Sequence, residues 1–579
     1  MKFEQLPNEI FVECFQYLNA PDIFYSFDRL NYQFYILIRN VHLHLNFEQV
    51  KKSLFNEFCQ TIRINPTIKR NIIYLKLSNI GTYGQIQSFI SLFALNEFIH
   101  LRSLSFIDEV FHRTSQEQQQ VSSILTLLPD LHRFYAPRWK IEAEVISKTK
   151  IQVLTLWMYR PTSIYGISAV TSLRVCYCTV PDLQSILNYT SMLKYIKIDS
   201  FQGYDMQYNI HYNMEYKMRC NADGSYKYDF SKICAVHLKQ LHLDRSLTSF
   251  ELIEQLLKCF PNLKIFSIVA INARNMIDAN LWQHLIKSSL PLLRVFNFNF
   301  GCHYSDSYDN MLIKLSPFQT DFWRQHNWYI NYAVGNEFTS VYTIPYSFTH
   351  YTLTTAMKKY NSPSTNGLNE FDNVKYLSLL AGAIRDDSSW HFRNVQSLSL
   401  ASTRDYRVED DEYEMKIENL KKMVNLSNIT ELEITERCVI KSELLFEILK
   451  QMPNISSLIL KNQIISSFYI NHELCELLNK KIKILYYTDP SWYHYTKIQD
   501  IDWFCKTFSN VEELHCDIDN VDDALLILTK CSKLSRIKVK CANISIYTWF
   551  EDNARTFNVY INYELKHDDP YDTTLSDSY

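Results

Sequence analysis

The strongest signal along the chain is a six-residue pattern, apolar-x-x-apolar-x-apolar, which recurs from residue 72 onward. It reads IIYLKL, LRSLSF, LHRFYA, IQVLTL, LRVCYC, LKYIKI, LKQLHL, LKIFSI, LRVFNF, VKYLSL, VQSLSL, ITELEI, ISSLIL, IKILYY, VEELHC and LSRIKV, sixteen copies in all. Alternation at period two predicts a short strand with one buried face for each copy. Centred on Leu75, Leu104, Phe134, Leu154, Cys176, Ile196, Leu241, Phe266, Phe296, Leu377, Leu398, Leu432, Leu458, Leu485, Leu514 and Ile537, thirteen of the fifteen gaps lie between 20 and 34 residues. Between copies the apolar period becomes helical and stops at a proline, as in SFELIEQLLKCFPNLKIFSI at Pro261 and in the equivalent stretches at Pro129, Pro291 and Pro453. Proline forces the residue before it out of the α region, so each one turns helix into strand within a few residues.

Leu-x-x-Leu-x-Leu at such a period resembles the leucine-rich repeat. The resemblance implies an α/β solenoid, a curved parallel sheet with helices on its convex side and right-handed crossovers between strands. Sixteen strands about 4.8 Å apart form a single arc roughly 75 Å long. The x positions face its concave side and include Lys76, Arg102, Ser103, Arg133, Arg174, Lys239, Gln240, His242, Glu431 and Lys538, a mixed polar surface of no single sign. Among these, Arg102, Arg133 and Arg174 are candidate contacts for a protein substrate.

The two long gaps are insertions, near 199–237 and 299–373. Alternation around Asp223-Gly224 predicts a hairpin in the first, and a second hairpin is expected to turn near Gly335-Asn336. The second insertion clusters Trp323, Trp328, Tyr329, Tyr342 and Tyr346. Aromatic loops supply contact area at low entropy cost, which makes Trp323, Trp328 and Tyr329 candidate substrate contacts; inward packing as a satellite core is the competing reading of the two tryptophans. An acidic run after Ala401 reads as a solvated loop, and residues 571–579 as a polar tail that closes a repeat region spanning 46–570.

Residues 1–45 read differently. LPNEIFVECFQYL places Pro7 in a first-turn position and Glu9 near the positive end of a helix dipole, with Ile10, Cys14 and Leu18 at i, i+4 and i+8 and with Phe11 and Phe15 widening the stripe. Asn19-Ala-Pro21-Asp22 breaks that helix and opens a second with Ile23, Phe27 and Leu30 on one side; NYQFYILIRN supplies a third. Three short helices bury too little to hide so much apolar surface, which leaves part of it for docking or for capping the repeats.

Leu6-Pro7-x-Glu9-Ile10, then Phe15 and Leu18, then Asp22-Ile23, then Leu30-Asn31-x-Gln33-Phe34 resembles the F-box in order and spacing. The resemblance implies docking on the Skp-type adaptor of an SCF ubiquitin ligase, and through it on a cullin scaffold, by Leu6, Pro7, Glu9, Ile10, Phe15, Leu18, Asp22, Ile23, Leu30 and Phe34. Phe34 stands where the family commonly has Trp, and Gln33 where it often has a basic residue.

Composition narrows the remaining possibilities. Nine glycines in 579 residues are too few for the phosphate-cradling turns of a P-loop or dinucleotide fold. Lys plus Arg number 59 against 62 for Asp plus Glu without any dense basic block, so no stripe is expected to collect phosphates and nucleic acid is not an expected partner. Fourteen cysteines include no C-x-x-C pair, which predicts neither zinc nor a disulfide framework. The acids of the first turn suit no signal peptide and no apolar run is long enough to span a bilayer, so a cytoplasmic or nuclear location without membrane contact is expected. Neither hydrolase, nucleotide nor metalloprotease motifs are present, and Asp517, Asp519, Asp522 and Asp523 lack the glycine of a calcium loop. The expectation is a non-enzymatic protein with no cofactor, no metal and no catalytic residues, the substrate-recognition subunit of an SCF-type ligase; the alternative is a repeat scaffold uncoupled from ubiquitination.

Overall fold

The structure is a computed structural model. It describes residues 6–48, 50, 52–79, 84–108, 115–161, 169–203, 230, 233, 235–271, 274–303, 313, 315–335, 338–354, 357–360, 370–384, 389–401, 416–435, 440–460, 468, 471–487, 498, 500–518, 520–541, 544–553 and 559–565. The chain divides into two compact units. The first holds Met1–His303 with Asp309–Trp328 and Ser340–Tyr342; the second holds Tyr304–Tyr308, Tyr329–Thr339 and Thr343–Tyr579.

The first unit opens with three helices, α1 (Asn8–Phe15), α2 (Ala20–Phe27) and α3 (Tyr32–Ile38). Ten strands follow: β1 (Leu43–Asn46), β2 (Ile72–Ser78), β3 (Ser103–Ile107), β4 (Arg133–Lys140), β5 (Val153–Met158), β6 (Ser172–Thr179), β7 (Tyr195–Gln202), β8 (Gln240–Leu247), β9 (Ile265–Ile271) and β10 (Val295–His303). They lie side by side in sequence order, every neighbouring pair parallel. Parallel neighbours require a crossover, and helices such as Val180–Tyr189, Phe250–Leu257 and Ala279–Ser289 provide it.

The insertion after β10 contributes β11 (Tyr329–Val334) and β12 (Phe338–Ile344), joined by the expected hairpin turn, where the Gly335 amide donates to the Phe338 carbonyl at 2.8 Å. In the second unit β11 pairs antiparallel with β14 (Lys358–Tyr360). There β13 (His350–Leu353), β15 (Tyr376–Leu380), β16 (Ser397–Ala401), β17 (Glu431–Ile434), β18 (Ser457–Leu460), β19 (Ile484–Tyr487), β20 (Glu513–Ile518), β21 (Arg536–Cys541) and β22 (Tyr560–Leu565) form a nine-stranded parallel sheet. All sixteen expected strands are present, but the parallel strands belong to two sheets rather than one. The hairpin expected around Asp223-Gly224 lies outside the described residues.

Register explains the repeat. Leu75, Leu104, Phe134, Leu154, Leu173, Ile196, Leu241, Phe266 and Phe296 sit opposite one another strand by strand, each essentially inaccessible to water. A fully buried side chain of this size contributes about 1.5–3 kcal/mol, and the column runs the length of the sheet. The fifth rung is Leu173, not Cys176. VTSLRV and LRVCYC both satisfy the apolar pattern there, and only pairing with Leu154 and Ile196 decides between them.

A polar ladder fixes the helix-to-strand turns of the second unit. Asn394, Asn428 and Asn454 donate their amide groups to the carbonyls of Asp372, Arg393 and Ser427, at 2.9, 2.8 and 2.7 Å. Each donor thus reaches the residue just before the corresponding asparagine one repeat earlier, so backbone that leaves a helix keeps a hydrogen-bond partner.

Candidate functional site

Pro7 precedes α1 with extended backbone, Pro21 starts α2, and the Asn31 side chain accepts from the Phe34 amide at 3.0 Å to begin α3. Phe11 meets Phe34 edge-on at 4.8 Å, and Phe27 lies 5.3 Å from both Phe15 and Phe34. Gln33 Nε2 donates to the Asn8 side-chain oxygen Oδ1 at 2.8 Å, tying α3 to α1. Asn19 exchanges two 2.8 Å hydrogen bonds with the Asn46 backbone, which fastens the helices to β1.

This packing divides the apolar residues of the three helices into two sets. Phe15, Ile23 and Phe34 are at most 1% exposed and hold the helices together, so they have no surface to offer an adaptor. Ile10 is 47% exposed, Leu18 39% and Leu30 53%, with Pro7, Glu9 and Asp22 also exposed and Leu6 half-buried. Cys14, placed by its spacing on a stripe with Ile10 and Leu18, is exposed like them because the inward stripe runs through Phe11 and Phe15 instead.

The candidate substrate residues separate in the same way. Arg102 and Arg133 are exposed on β3–β4 of the first sheet, and neither has an ion-pair partner among the described residues. Arg174 is committed: its guanidinium holds the Asp199 carboxylate through Nη2 at 2.9 Å and Nε at 3.2 Å. One strand further on Lys197 pairs with Asp244 at 2.6 Å, while Tyr195 and His242 approach to 5.3 Å between ring centres. This strip of the sheet face is therefore charge-balanced, and the free cations Arg102 and Arg133 stand on its N-terminal side.

Trp323 and Trp328 pack inward. The helix Asp321–Gln325 ends with Asn327 in a left-handed conformation; the Asn327 amide donates to Arg324 and the Trp328 amide to Trp323, both at 3.0 Å. That reversal folds Trp328 back over the helix, where both indoles meet Phe296. Trp328 Nε1 donates to the Arg294 carbonyl at 3.2 Å. Trp323 is fully buried and Trp328 is 6% exposed, so neither presents contact area; Tyr329 is half-buried.

The thiols of Cys59 and Cys176 are unsuited to nucleophilic chemistry. Burial pushes Cys59 up to about 12 and Cys176 to about 11, the Asp199 carboxylate adding to the latter, so both stay protonated at neutral pH. Asp522 and Asp523 occupy the first turn of the helix Val521–Lys530, where Asn520 accepts from the Asp523 amide at 2.7 Å; helix capping accounts for their spacing. Among the described residues no group of three or more His, Cys, Asp and Glu could hold a metal ion, and no helix is long and apolar enough to cross a membrane.

No protein-family model matches this chain, and no curated protein does. Among solved structures the chain is similar to the protein in a crystal structure of a TLR13–ssRNA13 complex, at 12% identity and a TM-score of 0.23, over 82% of this chain. It spans 63% of the length of that relative. The strand register and the Leu-x-x-Leu-x-Leu columns fit a leucine-rich-repeat type of parallel-sheet fold.

Proposed function

We propose that this protein is a non-catalytic substrate receptor of an SCF-type ubiquitin ligase, docking on a Skp-type adaptor through its N-terminal helices and binding a protein substrate through its repeats. The observation that supports this most is the exposure of large apolar side chains on α1 and in the turns that follow α1 and α2. Ile10, Leu18 and Leu30 are between 39% and 53% exposed although three buried phenylalanines already fill the interior beneath them. Three large apolar side chains left in water within about twenty residues are the kind of surface a partner covers, and these residues fall within the string that resembles an F-box. The receptor forms no bond itself. It raises the effective concentration of a substrate lysine near a charged ubiquitin-conjugating enzyme held on the same cullin scaffold.

Co-purification from cells tests the reading. Full-length protein should retain adaptor and cullin, and the double change Leu6→Ala with Pro7→Ala should lose both while its thermal unfolding is nearly unchanged. Retention of adaptor by that variant sinks the F-box assignment; adaptor without cullin points to the scaffold alternative.

A further inference from the structure

A second surface lies at the entrance to strands β7–β10, on the rim where helices turn into strands. Each of these strands is preceded by one basic residue at the same register: Lys194, Lys239, Lys264 and Arg294. The register is locked by backbone. Amides of Lys239 and Gln240 both donate to the Lys194 carbonyl at 2.9 and 3.1 Å; Lys264 and Ile265 do the same to Lys239 at 2.8 and 3.0 Å; Arg294 and Val295 do so to Lys264 at 2.9 and 3.1 Å. Four cations therefore stand in single file, one per repeat, with about 4.8 Å between adjacent backbones.

None of the four has an ion-pair partner among the described residues, although Lys197 and Asp244 pair a few residues away. Lys194, Lys239 and Arg294 are exposed and Lys264 is half-exposed. Like charges opposite one another on neighbouring strands destabilise a sheet, and the fold does not require charge here, since the same register holds Gln152 and Thr171 ahead of β5 and β6. The linear sequence shows no basic block because these residues are separated by whole repeats; the pairing of strands creates the row.

The surface beside the row is apolar. Met192, Val236 and Leu292 precede the cations in the turns and are 44–45% exposed, and Val295 follows at 37%. A row of cations fringed by aliphatic side chains is complementary to a partner that is acidic along one stripe and apolar beside it.

We infer that the Lys194–Lys239–Lys264–Arg294 row is a docking site for an amphipathic acidic helix of a partner protein. Side chains three and four apart on a helix lie about 5–6 Å from one another, which matches the rung spacing, whereas alternate residues of an extended strand lie nearly 7 Å apart. Aliphatic neighbours at Met192, Val236 and Leu292 accept leucine or isoleucine from such a helix, an apolar contact that a phosphate backbone, charged along its whole length, does not return. The inference builds on the substrate-binding half of the function proposed above and is independent of the adaptor half.

Fluorescence anisotropy on the full-length protein tests it with a labelled helical peptide that carries Glu at i, i+4, i+8 and i+12 and Leu on the adjoining stripe. Binding should weaken steeply with added salt, and replacing the four Glu by Gln should weaken it at least about tenfold. Lys194→Gln, Lys239→Gln, Lys264→Gln and Arg294→Gln together should produce the same loss, while the set of conservative Lys/Arg exchanges keeps affinity. Equal binding of the Glu and Gln peptides, or an unaltered affinity in the quadruple Gln variant, overturns the assignment; tighter binding of a single-stranded oligonucleotide of equal charge overturns it in favour of nucleic acid. Adaptor capture by the quadruple variant separates the two proposals, since it should be unchanged whether or not the F-box reading holds.

Discussion

Arg174 on β6 and Asp199 on β7 form a three-contact ion pair across neighbouring strands, with Nη2 2.9 Å and Nε 3.2 Å from the carboxylate oxygens. The arrangement orients a guanidinium that a substrate would otherwise have to desolvate. Arg174 therefore shapes the sheet face rather than reaching from it, in contrast to Arg133 two strands earlier, which is exposed. Arg174→Gln should cost about 1 kcal/mol by chemical denaturation, a modest value because the pair is partly solvated. Arg133→Glu should change stability by less than about 0.5 kcal/mol. Equal effects of the two substitutions would contradict the distinction between a structural and a free arginine.

The N-terminal helices make a sharper contrast. Phe15 is 1% exposed and touches Phe11 and Phe27, whereas Ile10 on the same helix is 47% exposed. Phe15→Ala should destabilise the helices by about 3–5 kcal/mol through the cavity it leaves. Ile10→Asp should leave thermal unfolding within about 0.5 kcal/mol of the parent yet abolish adaptor capture. A stable Phe15→Ala protein in a denaturation series would show that the buried set has been misassigned.

Much of this was legible from periodicity and much was not, for physical reasons. Sixteen strands announced themselves because a buried column demands the same apolar spacing in every repeat. β1 and β22 escaped because His42 and Asn558 stand where the six-residue pattern asks for its first apolar residue, and β13 escaped because its FTHYTL lies inside the stretch read as an insertion. The slip from Leu173 to Cys176 arose where two overlapping hexads satisfy one rule, and hydrogen bonding between strands decides such cases. On α1 a run as apolar as IFVECF cannot state which stripe faces in; Phe11 and Phe15 turn inward because Phe27 and Phe34, far along the chain, receive them. The cationic row was invisible for the same reason, since register across strands is a property of pairing and not of adjacency.

Lys359 and Glu370 supply a test of what holds the hairpin region of the second unit together. Their ion pair is almost wholly buried, at 7% and 13% side-chain exposure, with Lys359 Nζ lying 5.5 Å from the Phe371 ring and 5.4 Å from that of Trp390. Glu370 also accepts from Asn331 Nδ2 at 2.8 Å, linking β11 to the pair. Removing one charge strands the other in an apolar surround, so Lys359→Met alone should cost about 3–5 kcal/mol. Lys359→Met with Glu370→Leu should recover a large part of that loss. A double variant no more stable than the single one, measured by urea unfolding, would show that packing of the aromatic rings and not the uncompensated carboxylate sets the cost.

His242 should make the first sheet sensitive to mild acid. Burial lowers its pKa below the ordinary 6.5, nearby Lys197 lowers it further, and Asp244 only partly opposes them; the ring also packs 5.3 Å from that of Tyr195. A base whose folded pKa is depressed binds fewer protons in the native state than in the unfolded one once the pH is below its ordinary value. Stability is then unaffected well above pH 6.5 and declines as the pH falls through 6.5 toward the folded value. His242→Gln keeps a polar side chain of similar length but cannot titrate, so its stability should fall less than that of the parent between about pH 7.5 and pH 5.5. Urea midpoints at those two pH values measure the difference directly. His44 is also depressed, by burial and by His42, and works in the same direction, so the parent slope should be reduced rather than abolished by the His242 change. A slope identical in parent and variant would place the acid sensitivity elsewhere and remove His242 from the account.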